Sequence, residues 1–255
     1  MNKPKSLEIL DMRAPKADDR IHYGRNPVQF GDLRVPRAKG PHPVVIYLHG
    51  GFWKAEYNLE HAGHVCHALT QAGVATWNLE YRRIGHPGGG WPGTFDDVKH
   101  GAAFLSELAK PHFLDLRRIV VAGHSAGGHL ALWLAAQSST AYRGVVSIAG
   151  VADLKRAYQL KLSEGIVPRL LGGSPKEVPA RYASANPMEL LPIRPPQRLI
   201  HGTLDDVVPF EISQSFAKAS KNSELIPLPN AGHFEPIDPR TPEWKVVQRA
   251  LCNWD

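Results

Sequence analysis

Cysteine is scarce in this chain. Cys66 and Cys252 are the two among 255 residues, and so sparse a pair makes no disulfide framework. No apolar stretch approaches the roughly 20 residues needed to cross a bilayer. Met1 to Leu10 carries lysines but lacks the apolar centre of a signal peptide. The expected location is therefore cytoplasmic, with no membrane partner. Lysine and arginine never run longer than two, and no nucleic-acid motif is present. The net charge of +6 thus reads as a generally basic surface, and no nucleic-acid partner is expected. His61, His64, Cys66 and His67 resemble a metal cluster by composition. On a helix, however, an i, i+3 series drifts around the surface, and no H-E-x-x-H or paired carboxylate accompanies it. No metal or organic cofactor is expected. Internal repeats and low-complexity tracts are missing as well.

What is present is an ordinary globular composition, 43% hydrophobic and 21% charged. A chain of this length can bury about three quarters of its unfolded surface as one domain, so residues 1–255 read as a single unit. Short apolar runs at Val44–Leu48, Val74–Asn78, Arg118–Ala122, Gly144–Gly150, Arg198–Ile200 and Leu225–Leu228 read as buried strands. Val28–Pro36 alternates in character and reads as a further strand. Leu59–Ala72 reads as a helix closed by Gly73. Thr94 is the expected N-cap of a helix reaching about Lys110, with Asp96 and Asp97 in its first turn. Residues 1 to about 26 read as a polar arm, irregular or with one short helix. Strands alternating with helical segments predict an α/β fold, a mostly parallel sheet covered on both faces. Residues 151–196 interrupt that alternation. They read as a short cap insertion, with helices expected at Leu154–Leu162 and Ile166–Leu171.

Three segments carry chemistry. Gly123-His124-Ser125-Ala126-Gly127 fits G-x-S-x-G between a buried strand and a helix, the context in which a nucleophilic serine sits on a sharp turn. His49-Gly50-Gly51-Phe52-Trp53 follows another buried strand. Its backbone N–H groups at Gly51 and Phe52, with that of Ala126, are the expected donors to an oxyanion. His201 to Pro209 contains Asp205 and Asp206, and Asn230-Ala231-Gly232-His233 follows the last apolar run. The chain order is therefore serine, acid, histidine. His233 is the expected base for Ser125, oriented by one of the two aspartates. Trp53, Tyr57 and Trp91 are candidate pocket residues, whereas His49, His124 and His129 read as packing or turn-orienting groups.

Over nearly its whole length the chain resembles the α/β-hydrolase superfamily. That family's pattern H-G-x-x-D-x-x-V-P implies that Asp205 is the acid and Asp206 a solvated or capping neighbour. His49–Trp53 together with Gly123–Ala131 is similar to small esterases and peptidase-like hydrolases near the kynurenine formamidases, whose loop commonly reads H-G-G-Y-W. Here Phe52 stands in place of the tyrosine. The same segments resemble bacterial feruloyl- and acetyl-xylan-type esterase domains. The resemblance implies a serine hydrolase that cleaves small carboxylic esters through an acyl-enzyme. An amidase acting on N-formylkynurenine is the alternative within the family. A non-catalytic binding protein is the alternative from another class, although the triad residues and oxyanion glycines are all present. The expected partner is a small ester or amide. Oligomeric state does not follow from these residues.

Overall fold

The computed structural model describes residues 5–254. Eight strands form one sheet: β1 (Asp19–His22), β2 (Phe30–Arg34), β3 (His42–Leu48), β4 (Ala75–Leu79), β5 (Leu114–His124), β6 (Gly144–Ile148), β7 (Gln197–Gly202) and β8 (Ser223–Leu228). Their spatial order is β1-β2-β4-β3-β5-β6-β7-β8. β1 and β2 run antiparallel at one edge, and β2 pairs antiparallel with β4. The pairs from β4 through β8 are parallel. This is the α/β-hydrolase arrangement.

The core follows from side-chain alternation. Val44, Ile46 and Leu48 of β3 face one layer, while Val45 and Tyr47 face the other. The second layer is closed by α1 (Gly63–Gln71) and α9 (Trp244–Cys252), through Val65, Leu69, Val247 and Leu251. The first is closed by α2 (Gly93–Ala103), α3 (Leu105–Ala109) and α4 (Ala126–Gln137). Every residue of α4 from Ala126 to Ala135 is buried, so this helix is buried all round and not merely amphipathic, with His129 its one polar side chain in that span. The insertion forms α5 (Leu154–Gln159), α6 (Leu162–Leu171) and α7 (Pro179–Ala185), and α8 (Glu211–Ala219) follows β7. Asp153 caps α5 by accepting from the N–H groups of Lys155 and Arg156. Among the described residues, no helix is long and apolar enough to cross a membrane.

Several expectations need correction. Thr94 is not an N-cap. The helix begins at Gly93, and the Thr94 hydroxyl donates to Arg82 O at 2.6 Å while accepting from Gly90 N–H at 3.0 Å. Its hydrogen bonds are spent on the preceding loop. Asp97 likewise turns inward, to Arg82 and to Gln29 Nε2. The expected single helix to Lys110 breaks at Phe104 into α2 and α3. The polar arm contains β1, held by Arg20 forking onto Asp32 at 2.7 and 3.0 Å across the pair and not by apolar alternation. The insertion has a third helix, α7, started by Pro179.

The turn from β5 to α4 depends on bare backbone. A Cβ at Gly127 would lie 1.9 Å from Leu48 O, and one at Gly123 would lie 2.2 Å from Gly127 O. The end of β3, the end of β5 and the first turn of α4 are thus in direct contact. Gly127→Ala must push these segments apart. Its expected cost is about 3 kcal/mol, seen as a fall in Tm of roughly 6–12 °C for a domain of this size. Differential scanning calorimetry checks it.

Candidate active site

Four loops leave the C-terminal ends of the parallel strands β3, β5, β7 and β8 and meet at one cavity, where α/β sheets place their ligands. Ser125 stands at the β5–α4 turn with φ 57° and ψ −119°, a left-handed conformation that no regular element uses. Its N–H donates to Ile148 O at 2.8 Å, which pins the turn to β6. Gly51, Phe52, Tyr57, Ser125 and His233 all line the cavity.

His233 is tied to Asp205, its Nδ1 lying 2.6 Å from Asp205 Oδ2. The loops carrying the pair interlock. Leu204 N–H donates to Ala231 O at 2.9 Å, and Thr203 N–H to Leu228 O at 3.0 Å. A Cβ at Gly202 would meet Ala231 O and Gly232 O at 2.3 Å, so only glycine permits this approach. Asp205 Oδ1 accepts from the N–H groups of Val207 and Val208 at 2.9 and 2.8 Å. Burial alone would raise the Asp205 pKa. Hydrogen bonds from His201, His233 and the Val208 backbone outweigh burial and hold it below the ordinary carboxylate value. Asp206 is exposed, so the structure brings Asp205 and not Asp206 to His233.

A buried Ser–His–Asp line also converges on this carboxylate. His201 Nε2 lies 3.1 Å from Asp205 Oδ2, and His201 Nδ1 lies 2.7 Å from Ser213 Oγ. His201 and Ser213 are both fully buried, and neither lines the cavity. His201 Nε2 also faces Val208 O at 2.8 Å. That carbonyl only accepts, so Nε2 carries the proton and Nδ1 takes the Ser213 hydroxyl hydrogen. This arrangement braces Asp205 from behind but has no route to a substrate.

The loop after β3 takes three left-handed residues in succession, Gly51 (φ 107°), Phe52 (φ 48°) and Trp53 (φ 56°). Gly51 and Phe52 thereby reach the cavity. Ala126 opens α4 directly after Ser125, and a first-turn N–H has no partner within its helix. Of the three candidate pocket aromatics, Tyr57 lines the cavity. Trp53 does not: the same backbone turn swings it into the core, 1% exposed, edge-on to His129 at 5.2 Å. Trp91 packs against Phe95 at 5.0 Å, and its N–H donates to Leu170 O of α6 at 2.8 Å. His124 Nε2 donates to His233 O at 2.9 Å, and the two rings lie 4.5 Å apart. Burial, then the neighbouring His233, push the His124 pKa well down, so the ring is neutral. His129 Nε2 donates to Ala185 O at 2.9 Å, joining α4 to α7. Among the described residues, no three His, Cys, Asp or Glu side chains are grouped as metal ligands.

Sequence reasoning missed the group that holds the loop after β3. Glu80, 1% exposed, follows β4. Its Oε1 lies 2.9 Å from His49 Nε2, Tyr81 N–H and Arg83 Nη1, and its Oε2 accepts from Leu59 N–H at 3.1 Å. Tyr81 OH donates to His49 O at 2.7 Å, and Arg83 donates to Tyr57 O. Both ends of the loop are thus clamped by residues 80–83. The available signal is a charged segment, Glu80-Tyr81-Arg82-Arg83, placed directly after a buried strand.

Comparison with known proteins agrees with this geometry. The BD-FAE family matches residues 32–219, nearly three quarters of the chain. The chain belongs to the BD-FAE family. The matched span includes Gly51, Ser125 and Asp205 and stops short of His233. Among curated relatives of this BD-FAE chain, Esterase LipC of Mycobacterium tuberculosis is 30% identical over 86% of this chain and 60% of its own length. Kynurenine formamidase of Salmo salar is 24% identical over 86% of this chain and 75% of its own. The chain spans about half the length of several other curated relatives it matches. A solved carbohydrate esterase from gut microbiota, in truncated form, superposes with a TM-score of 0.79 at 20% identity, covering 94% of this chain and 96% of that one. At that identity the likeness is one of fold.

Two outcomes follow for this BD-FAE protein. Glu80→Ala leaves Arg83, 3% exposed, buried without its carboxylate, at an expected cost of about 3–5 kcal/mol in urea unfolding. The second concerns pH. Burial would raise the Glu80 pKa, but His49, Arg83 and the Tyr81 N–H outweigh it, and the net shift is downward. A carboxyl whose folded pKa is depressed contributes stability above its unfolded value and loses it as pH falls through the folded one. The loss attached to Glu80 and Asp205 therefore begins below about pH 4. Glu80→Gln should flatten the acid-side fall of unfolding free energy, measured by urea titration at stepped pH.

Proposed function

We propose that this protein is a serine hydrolase that cleaves small carboxylic esters through an acyl-enzyme. The observation that carries the reading is Ser125 on a strained turn in one cavity with His233, whose Nδ1 is 2.6 Å from Asp205 Oδ2. In this reading Ser125 is the nucleophile and attacks the ester carbonyl carbon. His233 takes its proton through Nε2 and passes it to the leaving alcohol. Asp205, kept ionised by its four donors, holds the imidazole tautomer and stabilises the imidazolium. The carbonyl oxygen becomes an anion, for which the N–H groups of Ala126, Gly51 and Phe52 are the donors. Water then attacks the acyl-enzyme by the same route in reverse, restoring Ser125. No step calls on a metal or organic cofactor.

Residues 151–196 act as the cap in this reading. Ser163, in the first part of α6, reaches the cavity, and α6 and α7 are bonded to Trp91 N–H and to His129 and Trp133 of α4. The names of two relatives frame the substrate question, since one is an esterase and one a kynurenine formamidase. The second makes a formamide the alternative substrate class, cleaved by the same residues.

The test is hydrolysis of p-nitrophenyl acetate, butyrate and octanoate beside N-formylkynurenine. Wild type should turn over the short esters, and Ser125→Ala should abolish this. Asp205→Asn should lower kcat by about 10⁴-fold, the scale seen when a triad acid loses its charge. Asp206→Asn should leave kcat unchanged. Preferential turnover of the formamide would move the enzyme to the amidases. Activity surviving in Ser125→Ala would overturn the mechanism.

A further inference from the structure

The cavity at Ser125 holds about 140 Å³. Sites that enclose drug-sized ligands run to roughly 300–1,000 Å³, whereas an apolar cavity of about 150 Å³ takes one benzene. It therefore fits a short chain or a single small ring. One of its lining residues comes from outside the sheet, its loops and the insertion. This is Leu10, at the end of the 3₁₀ turn Lys5–Leu10 in the N-terminal arm.

The arm is held at that place by contacts on both sides of Leu10. Ile9 is 1% exposed, and Glu8 pairs with Arg240 beyond the His233 loop at 3.4 Å. The N–H groups of Asp11 and Met12 return to Glu8 O at 3.0 and 3.1 Å. His64 Nε2 of α1 lies 3.2 Å from Met12 O, which accepts its proton. Further along, Ala14 sits against Gly63, where a Cβ would approach it to 2.6 Å, and Arg34 Nη2 donates to Pro15 O at 2.8 Å. A segment fastened to α1, β2 and the loop after β8 has a fixed position relative to Ser125. Yet none of these bonds serves the sheet or the proposed triad.

We propose that Leu10 is a specificity-determining residue. As an apolar wall of the Ser125 cavity, it sets the length of the substrate chain admitted beside the reacting ester. The proposal rests on the esterase reading above. It makes the substrates esters in which the group entering this cavity is a short alkyl chain or one small ring. Shortening the wall lengthens the cavity at its arm side, and each methylene newly admitted is worth roughly fourfold in kcat/KM. Leu10 is half-buried, so the sheet's core does not depend on it.

The experiment compares wild type, Leu10→Ala and Leu10→Trp on two series. One is p-nitrophenyl acetate, butyrate and octanoate, which varies the acyl chain. The other is methyl, butyl and octyl acetate, which varies the alcohol. In whichever series enters the cavity, Leu10→Ala should raise the ratio of kcat/KM for the longest member over the shortest by about tenfold or more. Leu10→Trp should lower the middle-to-shortest ratio in the same series. Ratios unmoved by both variants in both series, with wild type active, overturn the role of Leu10 and leave the hydrolase reading standing. A wild type inert toward every ester, with Ser125 unlabelled by alkyl fluorophosphonates in mass spectrometry, overturns the hydrolase reading and this proposal with it.

Discussion

The backbone of β3 presses directly on the first turn of α4. Leu48 O occupies the space that a side chain at position 127 would need, and much of the site is organised around that contact. β3 and β5 are neighbours in register, with Leu48 opposite Gly123. Both strands therefore end at the same height, and the chains leaving them, His49–Phe52 and Ser125–Ala126, emerge side by side. Carbonyl stabilisation and nucleophilic attack need groups about 3 Å from one reacting carbon and its oxygen. In the proposed mechanism, the adjacency of these parallel strands is what brings the loops carrying those groups together. The positive φ of Ser125 is held by its N–H bond to Ile148 O and by its carbonyl, which accepts from the His129 and Val151 N–H groups.

Around this contact the protein places charge where water does not reach. Glu80 and Asp205 are both desolvated carboxylates, and both titrate below the ordinary range because the donors facing each outweigh the loss of hydration. Their settings differ in one respect. Asp205 is reached through His233, which lines the cavity, and is braced from behind by His201 and Ser213. Glu80 is reached by no cavity-lining ring directly. It ties His49, Leu59 and Arg83 together beneath the loop that carries Gly51 and Phe52. Two adjacent non-glycine residues at positive φ are costly, and a clamp at both ends of that loop keeps them there.

The enclosure comes from less regular parts of the chain. The sheet ends alone would form an open shelf. The insertion brings Ser163 to it from one element, and the N-terminal arm brings Leu10 from another. The insertion is seated by buried side chains such as Leu154, Ile166 and Leu170 together with hydrogen bonds to α4, and Leu10 by the buried Ile9 beside it and the hydrogen bonds of its turn. In the proposed reading, specificity and mechanism are carried by different sets of residues.

The central strands, the helix after Ser125 and the order serine, acid, histidine were legible along the chain, because short buried runs and glycine-flanked turns are local patterns. Boundaries shifted by a few residues, as where β5 starts at Leu114 and not at Arg118. Thr94 was misread because a capping pattern is silent on whether its hydroxyl has a better partner elsewhere, here Arg82 O. Trp53 was misread because one backbone turn at positive φ decides between cavity and core, and residue type does not record φ. Glu80, His201 and Leu10 lie 45, 76 and 115 positions from Ser125 in the chain. Their roles exist only after folding brings them together. By itself the sequence determined the fold class and the chemistry of the candidate residues, since these depend on residue type and local periodicity. The tertiary structure alone decided which aspartate meets His233, what braces it, and how small the cavity is, since those depend on distances between segments that no local pattern encodes.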